Sequence, residues 1–274
     1  MLQQKIVFIG GGNMAEGMVK GFLLKGIFQP QEISIFDILA ERMEYLETTY
    51  QIKQARDLAA AVRGASIILL AVGPQDFEKA ASSINDFITK EQLVVSICAG
   101  ITIEKLMELF QEHKKFARIM PNTMIETGFG YSAVCTSAAV GDAEQVWLDT
   151  MLNALGRSLQ IKESLFNAFT AYSCAGPAYV LYFLAAMIDA GVQSGFSRTD
   201  ATAIASENLL AATTMVQQTG KHPYQITDTM TSPAGITIDG LQVLSEKGFH
   251  GIVMSSVKQA VARTNEVGMQ SDQH

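Results

Sequence analysis

The sequence predicts an α/β fold in which a doubly wound parallel sheet is followed by an all-helical domain. Three observations predict it. Short runs rich in Ile, Val, Leu and Phe recur through residues 1 to about 160 without polar alternation, as in strands buried on both faces. Helix-length amphipathic segments separate those runs, and strand–helix alternation at this spacing builds a parallel sheet. After Glu163 the strand signal stops and only helix-length segments follow, with apolar residues three and four apart.

In chain order the strands are "KIVFIG" (5–10), "EISIF" (32–36), "SIILLAV" (66–72), "QLVVSIC" (92–98) and "FARIM" (116–120). The helices between them include Asn13–Lys25, a segment starting near Leu39, Asp76–Phe87 and Ile103–Phe110. Four more are expected later, over Pro177–Gln193, Arg198–Gln218, Thr237–Lys247 and Gly251–Asn265. "SRTD" (197–200) has the pattern of a capping box, a hydroxyl answered three residues on by a carboxylate, and Gly220 is placed to end the same helix. The division into domains is expected at 1–162 and 163–274.

Composition narrows the function classes. With 48% apolar and 17% charged residues the chain is globular, and 274 residues support one or two domains. A net charge of −7, spread without blocks of one sign, argues against nucleic acid or an anionic membrane surface as partner. The apolar run from Ala178 to Ile188 is too short for a membrane span, and the N-terminus enters a strand too soon for a signal peptide. The three cysteines, Cys98, Cys135 and Cys174, are scattered in apolar contexts, as expected of free thiols in a reducing cytoplasm. Four histidines without ligand spacing give no metal site.

"IVFIGGGNMAEGMVKG" carries Gly10-x-Gly12-x-x-Ala15 directly after the first strand and at the start of a helix. Gly10 allows the tight turn, Gly12 admits a pyrophosphate to the backbone, and Ala15 permits close helix–strand packing. The helix start at Asn13 and Met14 offers free N–H groups and the positive end of a dipole. In this context the motif predicts dinucleotide binding on a Rossmann-type sheet. Asp37 ends the second strand, where an acid takes a ribose 2′-hydroxyl and favours NAD; its alternative role is to cap the helix that follows. Arg42 keeps NADP open. Ala71, Val72, Gly73 and Pro74 after the third strand, and Ala99 after the fourth, lie where ligands bind such sheets. Asn122, ending the fifth strand, is a candidate nicotinamide contact or a turn former. No His–Asp pair and no Tyr-x-x-x-Lys is present, so the substrate must need little acid–base assistance.

"FIGGGNMAEGMVKG", "AVGPQ", "RIMPNT", "AGPAYVLYFLAAMIDAGVQSG", "TGKHP" and "TSPAGIT…GLQVLSEKGF" occur in this order. In order and spacing the chain resembles the pyrroline-5-carboxylate reductases over essentially its whole length. The resemblance implies NAD(P)H-dependent reduction of 1-pyrroline-5-carboxylate to L-proline, the last step of proline biosynthesis. It also implies a helical dimerisation domain, hence a homodimer assembling into a larger homo-oligomer. The chain departs from the family's pattern at Gly73, where lysine is usual, at Cys174-Ala175, and at Ala234 and Ile236, where glycine and a hydroxyl residue are usual.

The segment 231–237 is expected to hold the substrate. Ser232 reads as an N-cap, Pro233 as the first helical residue, and Gly235 as a point of backbone approach. The N–H groups of Gly235, Ile236 and Thr237, beside Ala234 and with the Thr237 hydroxyl, suit a carboxylate. Gly176 leaves room for a flat ring, and Tyr182 is a candidate proton donor or hydrogen-bond partner, with an ordinary packing tyrosine as the alternative. His222 reads as a helix-end residue. Two other readings stand beside the reductase: a paralogous enzyme acting on another small cyclic imine, motivated by Gly73, Ala234 and Ile236, and a cofactor-binding regulator without activity.

Overall fold

The computed structural model describes residues 4–271. Strands β1 (Ile6–Ile9), β2 (Ile33–Phe36), β3 (Lys53–Gln54), β4 (Ile67–Leu70), β5 (Leu93–Ser96), β6 (Phe116–Pro121), β7 (Gly130–Thr136) and β8 (Gly156–Gln160) form one sheet. Their order is β3-β2-β1-β4-β5-β6-β7-β8. Every pairing is parallel except β6 with β7. All five expected strands are present. The first six follow the doubly wound order, with the reversal between β1 and β4.

Helices α1 (Asn13–Leu24), α2 (Ala40–Tyr50), α3 (Leu58–Gly64), α4 (Phe77–Ile84), α5 (Ile103–Leu109) and α6 (Asp142–Leu155) connect these strands. Alternate residues of each strand serve opposite faces, because successive side chains on a strand point to opposite sides. Ile6, Phe8, Ile67 and Leu69 join Met18 and Phe22 of α1, Leu46 of α2 and Leu152 of α6 in one buried cluster. Val7, Ile9, Ile68 and Leu70 join Val62 of α3, Phe77 and Ile84 of α4 and Leu106 of α5 in the other. Helices on both faces explain why the strand runs carry no polar alternation. Each such side chain contributes about 1.5–3 kcal/mol by leaving water.

The chain continues through α7 (Phe166–Phe169), a π-helical turn at Thr170–Cys174, α8 (Gly176–Gln193), α9 (Arg198–Thr219), α10 (Pro223–Thr229), α11 (Ile236–Glu246) and α12 (Phe249–Ser271). Ser197 caps α9 by accepting from the Asp200 N–H, and Gly220 ends it at φ 63°. The short α10, capped by His222, was not among the expected helices.

Two compact units result, one running to Cys174 and resuming at Val261, the other Ala175–Ala260. The division therefore lies twelve residues beyond the expected 162/163. The cause is packing at residues 163–171. Glu163 pairs with buried Arg118 at 3.0 Å and accepts the Ile103 N–H at 2.8 Å. Phe166, buried in the second cluster, lies under the Arg118 guanidinium at 4.4 Å.

The helical unit taken alone has little interior. Its buried apolar side chains are Ala201, Ala205 and Ile226, while Val180, Leu181, Leu210, Ile252 and Met254 are exposed. By length and composition the stretch Glu163–Gln193 is apolar enough to cross a membrane, and it is little buried in the single chain. An apolar surface of this extent marks an interaction face.

Candidate active site

The glycine loop is shaped by the sheet beneath it. Gly10 leaves β1 at φ 102°, and a Cβ there would stand 2.5 Å from the Ala71 carbonyl oxygen, so only glycine fits. Its N–H donates to the Phe36 carbonyl at 2.8 Å, tying the loop to the end of β2. Gly12 is the N-cap of α1 and supplies no capping side chain. A Cβ at Gly12 would meet nothing within 4 Å, so the first-turn amides of α1 open onto free space. Ala15, fully buried, lets α1 sit close to the sheet. An uncapped helix start with no side chain above it fits a dinucleotide pyrophosphate.

A cleft of about 410 Å³ opens there, at the topological switch point. It brings together Gly10, Gly12, Asp37, Ala71, Val72 and Gly73, as the sequence suggested. Asn13, Met14, Pro74 and Ala99 lie outside its lining. Its far wall is Asp76, Lys79 and Ser83, which sequence reasoning missed because nothing in a helix face distinguishes a cleft wall from a solvated surface.

Asp37 does not cap α2, whose N-cap is Leu39. Its carboxylate instead accepts the Gly11 N–H at 2.7 Å and the Leu39 N–H at 2.9 Å. Asn122 is also more engaged than expected. Its amide oxygen accepts from Met124 and Tyr131, both at 3.2 Å, and its amide nitrogen donates to the Ser173 carbonyl and hydroxyl at 3.3 and 3.4 Å. With both ends of the amide occupied, Asn122 acts as a turn former at the end of β6, the second of its two expected roles.

In the helical unit, Gly176 begins α8 with Pro177 in its first turn, and Tyr182 is 83% exposed. The segment before α11 differs from expectation. Its N-cap is Gly235, three residues after Ser232, and Pro233 and Ala234 occupy a turn. The Gly235 N–H donates to the Ser232 carbonyl at 3.1 Å, so it closes the turn and is not free for an anion. Ile236 and Thr237 begin the helix, and no side chain caps it. Their amides and the exposed Thr237 hydroxyl remain directed at solvent. Ile236 is 92% exposed.

The three thiols are unpaired, as expected. Burial pushes Cys98 up to about 12 and Cys135 and Cys174 up to about 11, so none offers a thiolate near neutrality. Among the described residues no group of His, Cys, Asp or Glu is arranged for a metal.

Comparisons with known proteins agree with this architecture. Residues 163–267 match the family model "Pyrroline-5-carboxylate reductase dimerisation", and residues 5–100 match "NADP oxidoreductase coenzyme F420-dependent". A pyrroline-5-carboxylate reductase from Synechocystis is 33% identical over 95% of this chain and 97% of its own length. The chain belongs to the pyrroline-5-carboxylate reductase family. A reductase of the same name from Methanosarcina acetivorans is 33% identical over 98% of this chain and 99% of its own. The crystal structure of a Plasmodium falciparum member with NADP bound superposes with a TM-score of 0.87 at 27% identity, covering 98% of this chain and 99% of that one. Both the sheet unit and the helical dimerisation domain are thus features of the pyrroline-5-carboxylate reductase family.

Proposed function

We propose that this chain is an NAD(P)H-dependent oxidoreductase that reduces 1-pyrroline-5-carboxylate to L-proline, the last step of proline biosynthesis. The observation that carries the proposal is the match, over nearly the full length of both partners, to reductases of that name from Synechocystis and Methanosarcina acetivorans. The glycine cradle before α1 is the physical counterpart of that match.

The loop Gly10–Gly12 and the start of α1 would hold the pyrophosphate, Asp37 the adenosine ribose, and Ala71–Gly73 the walls beyond. When bound, the reduced nicotinamide supplies a hydride to the imine carbon. The chain's own task is placement, which contributes about 7–11 kcal/mol in well-oriented reactions. The substrate carboxylate suits the α11 amides of Ile236 and Thr237 with the Thr237 hydroxyl, beside Ser232, Ala234 and Gly235. Gly176 leaves space for the ring. An iminium accepts hydride without further activation, and a neutral imine takes one proton as well. Exposed Tyr182 or Thr237 is the proton source in this scheme.

The exposed apolar face of the helical unit supports assembly as a homodimer, and further assembly into a larger homo-oligomer, rather than contact with a membrane. Three unpaired thiols support a cytoplasmic location. The departures at Gly73, Ala234 and Ile236 favour one second reading, a related reductase acting on another small cyclic imine. Steady-state turnover against a panel of cyclic imino acids decides between them. The proposal predicts that pyrroline-5-carboxylate has the highest kcat/KM. A better six-membered imine would establish the second reading, and a cofactor-bound protein inert to the whole panel would make it a regulator.

A further inference from the structure

The end of β2 carries a charge arrangement that bears on cofactor choice. Asp37 is fixed at the mouth of the cleft by two backbone amides, those of Gly11 and Leu39, and it lines the cleft directly. A side chain held from behind in this way cannot swing aside for an incoming anion. Arg42, in the first turn of α2, is the cation that would offset a 2′-phosphate at this point. It is already engaged. Its Nε donates to the Gly11 carbonyl, its guanidinium pairs with Glu16 of α1, and its face covers the Tyr45 ring at 5.0 Å.

Glu16 is itself secured. It accepts the Tyr50 hydroxyl at 2.8 Å and the Tyr45 hydroxyl at 3.1 Å. Burial works against its charge, but the hydrogen bonds from Arg42, Tyr50 and Tyr45 outweigh it and hold its carboxyl below the usual range. Three side chains from α1 and α2, Glu16, Tyr45 and Tyr50, thus tie Arg42 to the protein, directly or through Glu16. Lys79 of α4 also lines the cleft, with the acid Asp76 from the preceding turn lining it too.

We propose that this cleft selects NADH over NADPH, with Asp37 receiving the ribose 2′-hydroxyl and Glu16 withholding Arg42 from a 2′-phosphate. The inference rests on the dinucleotide reading of the same cleft and deepens it. Membership of the family alone does not predict this choice, since the Plasmodium falciparum member was solved with NADP bound. Like-charge repulsion beside a fixed carboxylate disfavours the phosphorylated ligand by about tenfold or more.

The test is titration calorimetry of the intact protein with adenosine diphosphate ribose and with its 2′-phosphate, which reports the adenosine half without turnover. The unaltered protein is expected to bind the unphosphorylated ligand at least about tenfold more tightly. Asp37→Ser should bring the ratio near unity, and adding Glu16→Gln, which removes the charge paired with Arg42, should reverse it. Equal or tighter binding of the 2′-phosphate by the unaltered protein would overturn the proposal. So would an Asp37→Ser protein, folded by circular dichroism, that weakens both ligands equally, since Asp37 would then only brace the loop. Binding of neither ligand would overturn the dinucleotide reading itself, and this inference with it. Lys79→Met shifting the ratio more than Asp37→Ser would place selectivity on α4 and contradict the assignment.

Discussion

Ala234 and Gln51 are the described non-glycine residues with left-handed backbone, at φ 56° and 59°. Gln51 is at the C-cap of α2, a common place for it. Ala234 is in a turn whose preceding Pro233 has a ring-fixed negative φ, and a positive φ at the next position is a demand that glycine meets without strain. The family resemblance puts glycine here, and the structure shows what the alanine does instead. A left-handed L-residue costs about 1–2 kcal/mol, against about 0.4–1 kcal/mol for the extra unfolded freedom of glycine. Ala234→Gly is therefore expected to raise stability by up to about 1 kcal/mol, read as a higher denaturant midpoint at fixed protein concentration. A lower midpoint would show that Ala234 makes contacts outweighing its strain.

The proposed substrate role rests on helix α11, whose N-cap is Gly235, three residues after the expected Ser232. Ser232-Pro233 has the composition of an N-cap and first helical residue, but the positive φ at Ala234 closes a turn first, so the cap falls on Gly235. Composition alone does not separate these outcomes, because serine and proline serve turns and helix starts equally. The strand runs were readable for the opposite reason: burial on both faces leaves a continuous apolar stretch. Strands β7 and β8 escaped notice because they carry the polar and small residues of "GYSAVCT" and "GRSLQ", and β3 has only two residues. The glycine loop was readable because Gly10 answers a steric demand at Ala71, whereas the Glu16–Arg42–Tyr50 lock joins residues far apart in sequence and leaves no local pattern. Functionally, Thr237→Val removes a hydroxyl from the α11 start without disturbing the helix. It is expected to raise KM for pyrroline-5-carboxylate about tenfold or more, the effect of one hydrogen bond to a charged group, with cofactor KM unchanged. An unchanged substrate KM would move the carboxylate site elsewhere.

The whole molecule reports its chemistry through pH and concentration. His113 is 4% exposed, with Nε2 3.0 Å from the Lys115 carbonyl, its ring edge-on to Phe116, and Nδ1 without a partner. Burial, the largest influence, depresses its pKa below 6.5 despite the hydrogen bond to the Lys115 carbonyl. Below that pH the unfolded chain takes up a proton that the folded one resists, so stability is full above about pH 6.5 and falls as pH drops through the interval beneath it. His113→Gln should flatten the loss that sets in below about pH 6.5 in urea titrations; an unchanged slope would assign the loss to carboxylates.

The exposed apolar face of the helical unit implies that folding and association are linked. About a hundredfold dilution is expected to lower the apparent midpoint, whereas a concentration-independent midpoint would mean the chain is stable alone. The most direct measurement of the central claim is a single-turnover reaction of pyrroline-5-carboxylate with nicotinamide dinucleotide deuterated on one face of C4. With the two C4 epimers of the reduced cofactor run in parallel, the account predicts L-proline carrying one deuterium at C5, the carbon bonded to nitrogen that bears no carboxylate, from one epimer only. Unlabelled proline from both C4-deuterated epimers, or no proline from a protein that binds both ligands, would contradict it.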